Sequence, residues 1–350
     1  MKVDKPLVSI MIPNRNHSMY LNQSIEGALN QTYQNIEVIV LDNCSTDNSI
    51  EVAQRYLDRG VRVCKNPVNI AIKTLDLLLT LAIGEYIMLH PADDLIKPTL
   101  IEKCVNILEK YPNVGYVHCD RDLIDENGVV TELDPFYNCS FISPGSAALP
   151  IYMVAEVAQA AQCLMRRSAF KEAGGYATEF DHLNVDKDLW FRLSLVSDYA
   201  YIREKLALIR IHQSRETLKA FRNFYHPLAL YLTLNYHIRL GHEQHGHENV
   251  IAKVPAAYTK LASELVRIAI FALNERNWDL ARKYLMFAQI VNSEIIQDST
   301  YQEYWTICSD PEKTRNTTTP IVMDDMFATR KRNYEPPENY MKIDFADYEN

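Results

Sequence analysis

Gly84-Glu85-Tyr86-Ile87-Met88-Leu89-His90-Pro91-Ala92-Asp93-Asp94 joins a short apolar run to two adjacent carboxylates. The run Glu85–Leu89 has the length and composition of a buried strand. Three similar runs precede it: Leu7–Ile12, Ile36–Leu41 and Val61–Cys64. Between the first two, Tyr20, Leu21, Ser24, Ile25, Ala28 and Leu29 recur at helical spacing. Ser45, Thr46 and Asp47 offer caps for a second helix carrying Ile50, Val52, Ala53 and Tyr56. A third helix is expected over Thr74–Ala82. Alternating strands and helices imply a parallel α/β sheet with right-handed crossovers. Ligands of such sheets lie beyond the carboxyl ends of the strands. That singles out Pro13–Asn16, Asp42–Ser45, and Asp93 with Asp94.

Further along, Pro98–Tyr111 reads as a helix, Val114–Asp120 as a strand and Asp125–Gly128 as a turn. Asp134–Pro150 holds three prolines and is expected to be a loop. Ser168–Ala173 is a short helix closed by Gly174 and Gly175, which suit a left-handed cap. Lys187–Val196 follows as a helix and Leu206–Ile211 as a strand. From about Phe221 the pattern is helical. Leu261, Leu265, Ile268, Ala269 and Ala272 form one stripe, and Trp278, Ala281, Tyr284, Leu285 and Ala288 another. The turn Asn274–Asn277 makes them an αα-hairpin. The expected organisation is a domain over 1–220, a helical region over 221–308, and an extended or partly disordered tail over 309–350.

The 350 residues are 47% hydrophobic and 23% charged, enough for a full core without staples. A net charge of -9 argues against nucleic acid as a partner. The seven cysteines are odd in number and lack a C-x-x-C pair, which points to reduced thiols in the cytoplasm. Met1–Val8 lacks the apolar core of a signal peptide. The stretch Leu75–Leu89 is interrupted by Asp76, Gly84 and Glu85 and is too short to span a bilayer. A peripheral association with a membrane surface is compatible with this composition.

Five segments carry a resemblance when taken in order. They are Val8–Asn16, Ile39–Ser49, Gly84–Asp94, Asp186-Lys187-Asp188-Leu189-Trp190-Phe191-Arg192, and Ile211-His212-Gln213-Ser214. Together they resemble family 2 glycosyltransferases, whose usual patterns are P-x-Y-N, D-D-G-S-T-D, G-E-Y-I-x-x-L-D-A-D-D, E-D-x-D-L-W-x-R and a metal-binding histidine. The likeness spans roughly residues 6–215. It implies a GT-A fold: an α/β, Rossmann-like, mostly parallel sheet flanked by helices, here followed by a C-terminal α-helical region. It also implies inverting transfer of a sugar from a nucleoside-diphosphate donor, expected to be a UDP-sugar, to a hydroxyl of a saccharide, lipid-linked or small-molecule acceptor.

The resemblance also implies roles. Pro13, Arg15, Asp42, Lys73 and Asp93 would bind the donor, with Asp42 accepting from the base and Asp93 touching ribose or sugar. Asp94 and His212 would hold Mn²⁺ or Mg²⁺ against the diphosphate. Asp186 would be the general base, with Asp188 as a neighbouring alternative. Departures from the pattern include Arg15 for Tyr, Pro91 for the first Asp and Val185 for a Glu, and in Asn69–Asp76, where the family commonly reads G-x-x-x-A-R-N, Lys73 is the one basic residue. A guanidinium can stack on a base as an aromatic ring does. The C-terminal helices would flank the acceptor or form a homodimer. His237, His242, His245 and His247 match no closed zinc pattern and read as a solvated loop. Asn316-Thr317-Thr318 fits a glycosylation acceptor, without meaning in a cytoplasmic protein. Two rival readings are a sugar nucleotidyltransferase, disfavoured because Pro13–Asn16 has no glycine, and a degenerate GT-A domain serving as a scaffold.

Overall fold

The computed structural model describes residues 5–155, 157–177, 184–212, 221–310 and 333–344. Gln213 and Ser214, Asn316–Thr318 and most of the tail lie outside them. The chain divides into two compact units. The first takes residues 1–148, 156–212 and 332–350, and the second takes 149–155 and 213–331.

The first unit is built on one mixed sheet. Its strands are β1 (Val8–Asn14), β2 (Ile36–Asp42), β3 (Arg62–Lys65), β4 (Tyr86–Leu89), β5 (Leu95–Ile96), β6 (Val114–Asp125), β7 (Val130–Thr131), β8 (Phe141–Ser143), β9 (Cys163–Arg166), β10 (Asp198–Ile211) and β11 (Met341–Lys342). The order across the sheet is β11-β8-β10-β6-β9-β4-β1-β2-β3, with β5 on β10 and β7 on β6. β3, β2, β1 and β4 are parallel neighbours, as are β6 and β10. β9 runs antiparallel between β4 and β6. The described helices are α1 (Ser18–Leu29), α2 (Ser49–Gln54), α3 (Thr74–Leu81), α4 (Leu100–Lys110), α5 (Gly145–Val154, of which only residues 145–148 belong to this unit), α6 (Arg167–Glu172) and α7 (Val185–Val196).

The apolar periodicity explains the packing. Ile10 and Ile12 of β1, Val38 and Val40 of β2 and Met88 of β4 share a core with Leu21, Ile25 and Ala28 of α1 and with Ile101, Cys104 and Leu108 of α4. Backbones approach closely at Gly84. A Cβ there would stand 2.7 Å from the Ser9 nitrogen and 2.8 Å from the Leu7 oxygen, so β4 enters beside β1 only without a side chain. Gly174 and Gly175 close α6 at φ of 87° and 73°, as their sequence positions suggest.

Three expectations change. β6 continues past Asp120 to Asp125, because its charged residues have partners. Asp120 accepts from the Tyr201 hydroxyl and the Phe136 amide, and Arg121 donates to Gln162 Oε1 at 2.6 Å. Asp122 pairs with Lys205 at 3.0 Å. That last contact also explains why β10 begins at Asp198 rather than near Leu206: its polar middle faces polar partners. Asp134–Pro150 is not all loop, for it contributes β8 and the start of α5, with Pro150 inside the helix.

In the second unit the described helices are Tyr225–Ile238, Glu248–Asn274, Trp278–Val291 and Ser299–Ser309. The expected hairpin is present. Arg276 turns the chain at φ 55°, and the Asn277 side chain caps the next helix by accepting from Leu280 N at 3.1 Å. Residues 239–244, expected as solvated loop, extend the preceding helix as a π-helical turn, and His237 is buried within that helix. No helix among the described residues is long and apolar enough to cross a membrane.

Candidate functional site

The carboxyl ends of β1 and β2 are tied together by side chains. Asn14 Nδ2 donates to Asp42 Oδ1 at 2.8 Å and to Ser45 Oγ at 3.2 Å. Ser45 N donates to Asp42 Oδ2 at 3.0 Å, and the Ser45 hydroxyl donates to Asp42 Oδ1. Asn16 returns the link, accepting from Thr46 N at 2.7 Å. Asp42 is 1% exposed. A carboxylate offers about four acceptor positions, and Asn14 and Ser45 use three of them. The direct contact with a base expected of Asp42 would have to add to or displace these bonds. What Asp42 does in the structure is fix the two loops. Cys44, where the resembled pattern has glycine, sits at φ 59° between them. That left-handed conformation costs an L-residue roughly 1–2 kcal/mol.

Pro13 lies beyond the β4 pairing, which ends at Met11, so β1 has only β2 beside it there. Arg15 is exposed just past it. Lys73 is exposed at the end of the 3₁₀ turn Ala71–Lys73. Among the described residues neither cation has an ion-pair partner. Both are available to an anion at this edge of the sheet.

Asp93 and Asp94 follow β4 and take opposite paths. Asp94 is 5% exposed, and its Oδ1 accepts from the Arg210 amide at 2.9 Å. It pins the turn to β10. Asp93 is half-buried, and its Oδ2 lies 3.0 Å from His212 Nε2. Asp94 and His212 were expected to share a cation; the structure places Asp93 beside His212, while Asp94 accepts from the Arg210 amide. Arg210 fixes this arrangement. Its Nε donates to the Asp93 carbonyl at 2.9 Å, Nη1 to the Asp125 carbonyl at 2.8 Å and Nη2 to Gln23 Oε1 at 2.6 Å. Its guanidinium also lies 4.4 Å from the centre of the Tyr20 ring.

His17 joins this pair and was not anticipated. A ring nitrogen of His17, a ring nitrogen of His212 and a carboxylate oxygen of Asp93 all lie within 4.8 Å of one another. His17 precedes α1, and its carbonyl accepts from Tyr20 N and Leu21 N, both at 2.9 Å. The available signal was a histidine in the loop that follows the first strand's carboxyl end.

Asp186 and Asp188 open α7 but differ in surroundings. Asp188 is 0% exposed, and its Oδ2 accepts from Arg192 Nε at 2.8 Å and Nη2 at 2.6 Å. A carboxylate so enclosed and so paired has a structural task in this fold. Asp186 is half-buried and its Oδ2 accepts from Ala160 N at 3.0 Å. Ala160 stands in the turn just before β9. Because β9 is antiparallel to β4, its start lies toward the β4 carboxyl end. Asp186 is thus anchored at the same edge of the sheet as Asp42 and Asp93.

Comparison with known proteins bears on this edge. Residues 9–174 match the model of "Glycosyl transferase family 2". A glycosyltransferase of Rickettsia typhi is 30% identical over 240 residues, which are 65% of this chain and 70% of that protein. A second, from Rickettsia felis, is 31% identical over 61% of this chain but only 36% of its own length. Among solved structures, S. aureus TarS 1-349 in complex with UDP superposes with a TM-score of 0.52 at 15% identity, covering 83% of this chain and 91% of that one. The same protein in complex with UDP-GlcNAc gives 0.51 at 13% identity, over 96% and 99% of the two chains. At these identities the TarS likeness is one of fold.

Proposed function

The chain belongs to glycosyltransferase family 2, and from that membership we propose that it is a cation-dependent, inverting enzyme moving a sugar from a UDP-sugar to an acceptor hydroxyl. The observation that carries this reading is the gathering of Asp93 with His212, and of Asp186, at one edge of the sheet. The donor class is the one seen in complex with TarS.

Asp93 and His212 fit a divalent cation, being an oxygen and a nitrogen donor 3.0 Å apart on separate, well-anchored segments. A cation held there would offset the charge of the departing diphosphate. Arg15 and Lys73 add positive charge at the same edge. Asp186 takes the proton of the acceptor hydroxyl. The acceptor oxygen bonds to C1 of the sugar as the bond from C1 to the diphosphate breaks, and one displacement inverts the anomeric centre. The Ala160 amide, donating to Asp186 Oδ2, orients that carboxylate. The acceptor is a hydroxyl of a saccharide, a lipid-linked sugar or a small glycoside.

The test is calorimetry and thermal shift with UDP, GDP, CDP and dTDP, each with Mn²⁺ or Mg²⁺ or neither, on the native chain and Asp93→Asn. At 100 times its dissociation constant a ligand stabilises the fold by about 2.7 kcal/mol. UDP binding that needs the cation and disappears in Asp93→Asn is expected. Absence of any nucleotide effect would refute the enzyme as described and favour a scaffold.

A further inference from the structure

We propose that His17 is a third protein ligand of the cation, and that the resulting set of two imidazoles and one carboxylate selects a transition-metal ion such as Mn²⁺ or Co²⁺ over Mg²⁺. The proposal rests on the reading of Asp93 and His212 as cation ligands and adds a residue outside the motifs that suggested them.

Geometry supports it first. An ion bonded at about 2.1 Å to each donor holds adjacent donors about 3 Å apart and opposite ones about 4.2 Å apart. The three donor atoms, all within 4.8 Å of one another, already occupy a space of that size. Little movement would bring them onto one ion. Among the described residues this is the one group of three such side chains so disposed.

Anchoring supports it next. The three residues come from the loop after β1, the turn after β4 and the end of β10. The His17 backbone is held by the first turn of α1, where its carbonyl accepts two amides. The Asp93 backbone is held by Arg210. The Tyr20 ring lies 5.2 Å from that of His212 and 6.5 Å from that of His17, measured between centres. The ligands are therefore positioned before an ion arrives, which lowers the cost of binding.

Donor chemistry decides the ion. Mg²⁺ is bound through oxygen, keeps several waters and gives them up reluctantly. Imidazole suits later, softer ions, and affinity for nitrogen-containing sites rises from Mn²⁺ through Co²⁺. A site with two nitrogens and one oxygen from the protein gives Mg²⁺ little advantage over water.

The experiment uses the full chain with MnCl₂ and MgCl₂ alone, followed by calorimetry, and pulsed EPR on the Mn²⁺ form to count coordinated ¹⁴N nuclei. The native chain should show two nitrogens and bind Mn²⁺ at least about 10-fold more tightly than Mg²⁺. His17→Ala should show one nitrogen and lose about 10- to 100-fold in Mn²⁺ affinity, with little change for Mg²⁺. His17→Gln, which supplies an oxygen, should shift the preference toward Mg²⁺ and guards against a folding defect in the alanine variant. One nitrogen in the native chain, or Mn²⁺ binding unchanged in both His17 variants, would overturn the proposal. If Asp93→Asn still abolished binding in that case, the two-ligand reading would survive without His17. No binding of either ion to the native chain would remove both.

Discussion

Asp186→Asn and Asp188→Asn should give opposite phenotypes, although the residues are two apart on the same helical turn. Asp188 is enclosed, and one of its oxygens accepts two hydrogen bonds from Arg192, whose side chain is only 8% exposed. Neutralising Asp188 leaves that guanidinium buried without its counter-charge. Breaking a buried pair from one side costs about 3–5 kcal/mol. At about 2–4 °C per kcal/mol for a domain of this size, the midpoint should fall by roughly 6–20 °C. Asp186 is half-buried rather than enclosed. Asn at 186 keeps an oxygen for the Ala160 amide, and the charge lost near the α7 N-terminus is worth about 0.3–1 kcal/mol. As general base, however, its loss should lower kcat by about 10²- to 10⁴-fold with nucleotide binding intact. Urea unfolding, calorimetry with UDP and steady-state kinetics read the three quantities separately. The reasoning fails if Asp186→Asn keeps more than about a tenth of native turnover, or if Asp188→Asn is as stable as the native chain.

Three further outcomes are expected. Cys44→Gly should stabilise the fold by up to about 1 kcal/mol, since glycine relieves the left-handed strain but loses more entropy on folding; a lower urea midpoint would contradict this. Gly84→Ala should cost about 1–3 kcal/mol, because its methyl would press on the backbone of Leu7 and Ser9, and a change within error would show that β1 and β4 can part. Burial holds His118 down at about 3 and His90 at about 4, while in the unfolded chain both titrate near 6.5. The unfolded state then binds more protons, so stability should be lost as pH falls below about 6.5, by about 1.4 kcal/mol per pH unit for each histidine. His118→Phe should roughly halve that slope in urea midpoints measured between pH 6.5 and 4.5, and an unchanged slope would place the protonation elsewhere.

Much of this architecture was legible because its strands are buried on both faces. Runs such as Leu7–Ile12 and Ile36–Leu41 have no other use in a folded chain, and the polar residues ending them had to lie at one edge. The charged stretches of β6 and β10 were not legible. Arg121, Asp122 and Lys205 look like loop residues until Gln162 meets Arg121 and Asp122 meets Lys205. The same limit governs the site. Spacing identified the Asp93-Asp94 pair, but which carboxylate faces His212 depends on Arg210 claiming the other through its amide. His17 belongs to no motif and gains meaning only when residues 17, 93 and 212 share one place.

The order of synthesis gives β8 a particular history. It emerges early, at residues 141–143, yet the strand on its outer side is Met341–Lys342. At about 5–20 residues per second, the ribosome needs on the order of 10–40 s to make the chain between them. For that interval a growing polypeptide carries a bare strand edge, the feature by which nascent chains adhere to one another. Messages cut short before residue 341 would release nearly finished sheets with that edge permanently open, and such fragments are the ones expected to clump in the cell.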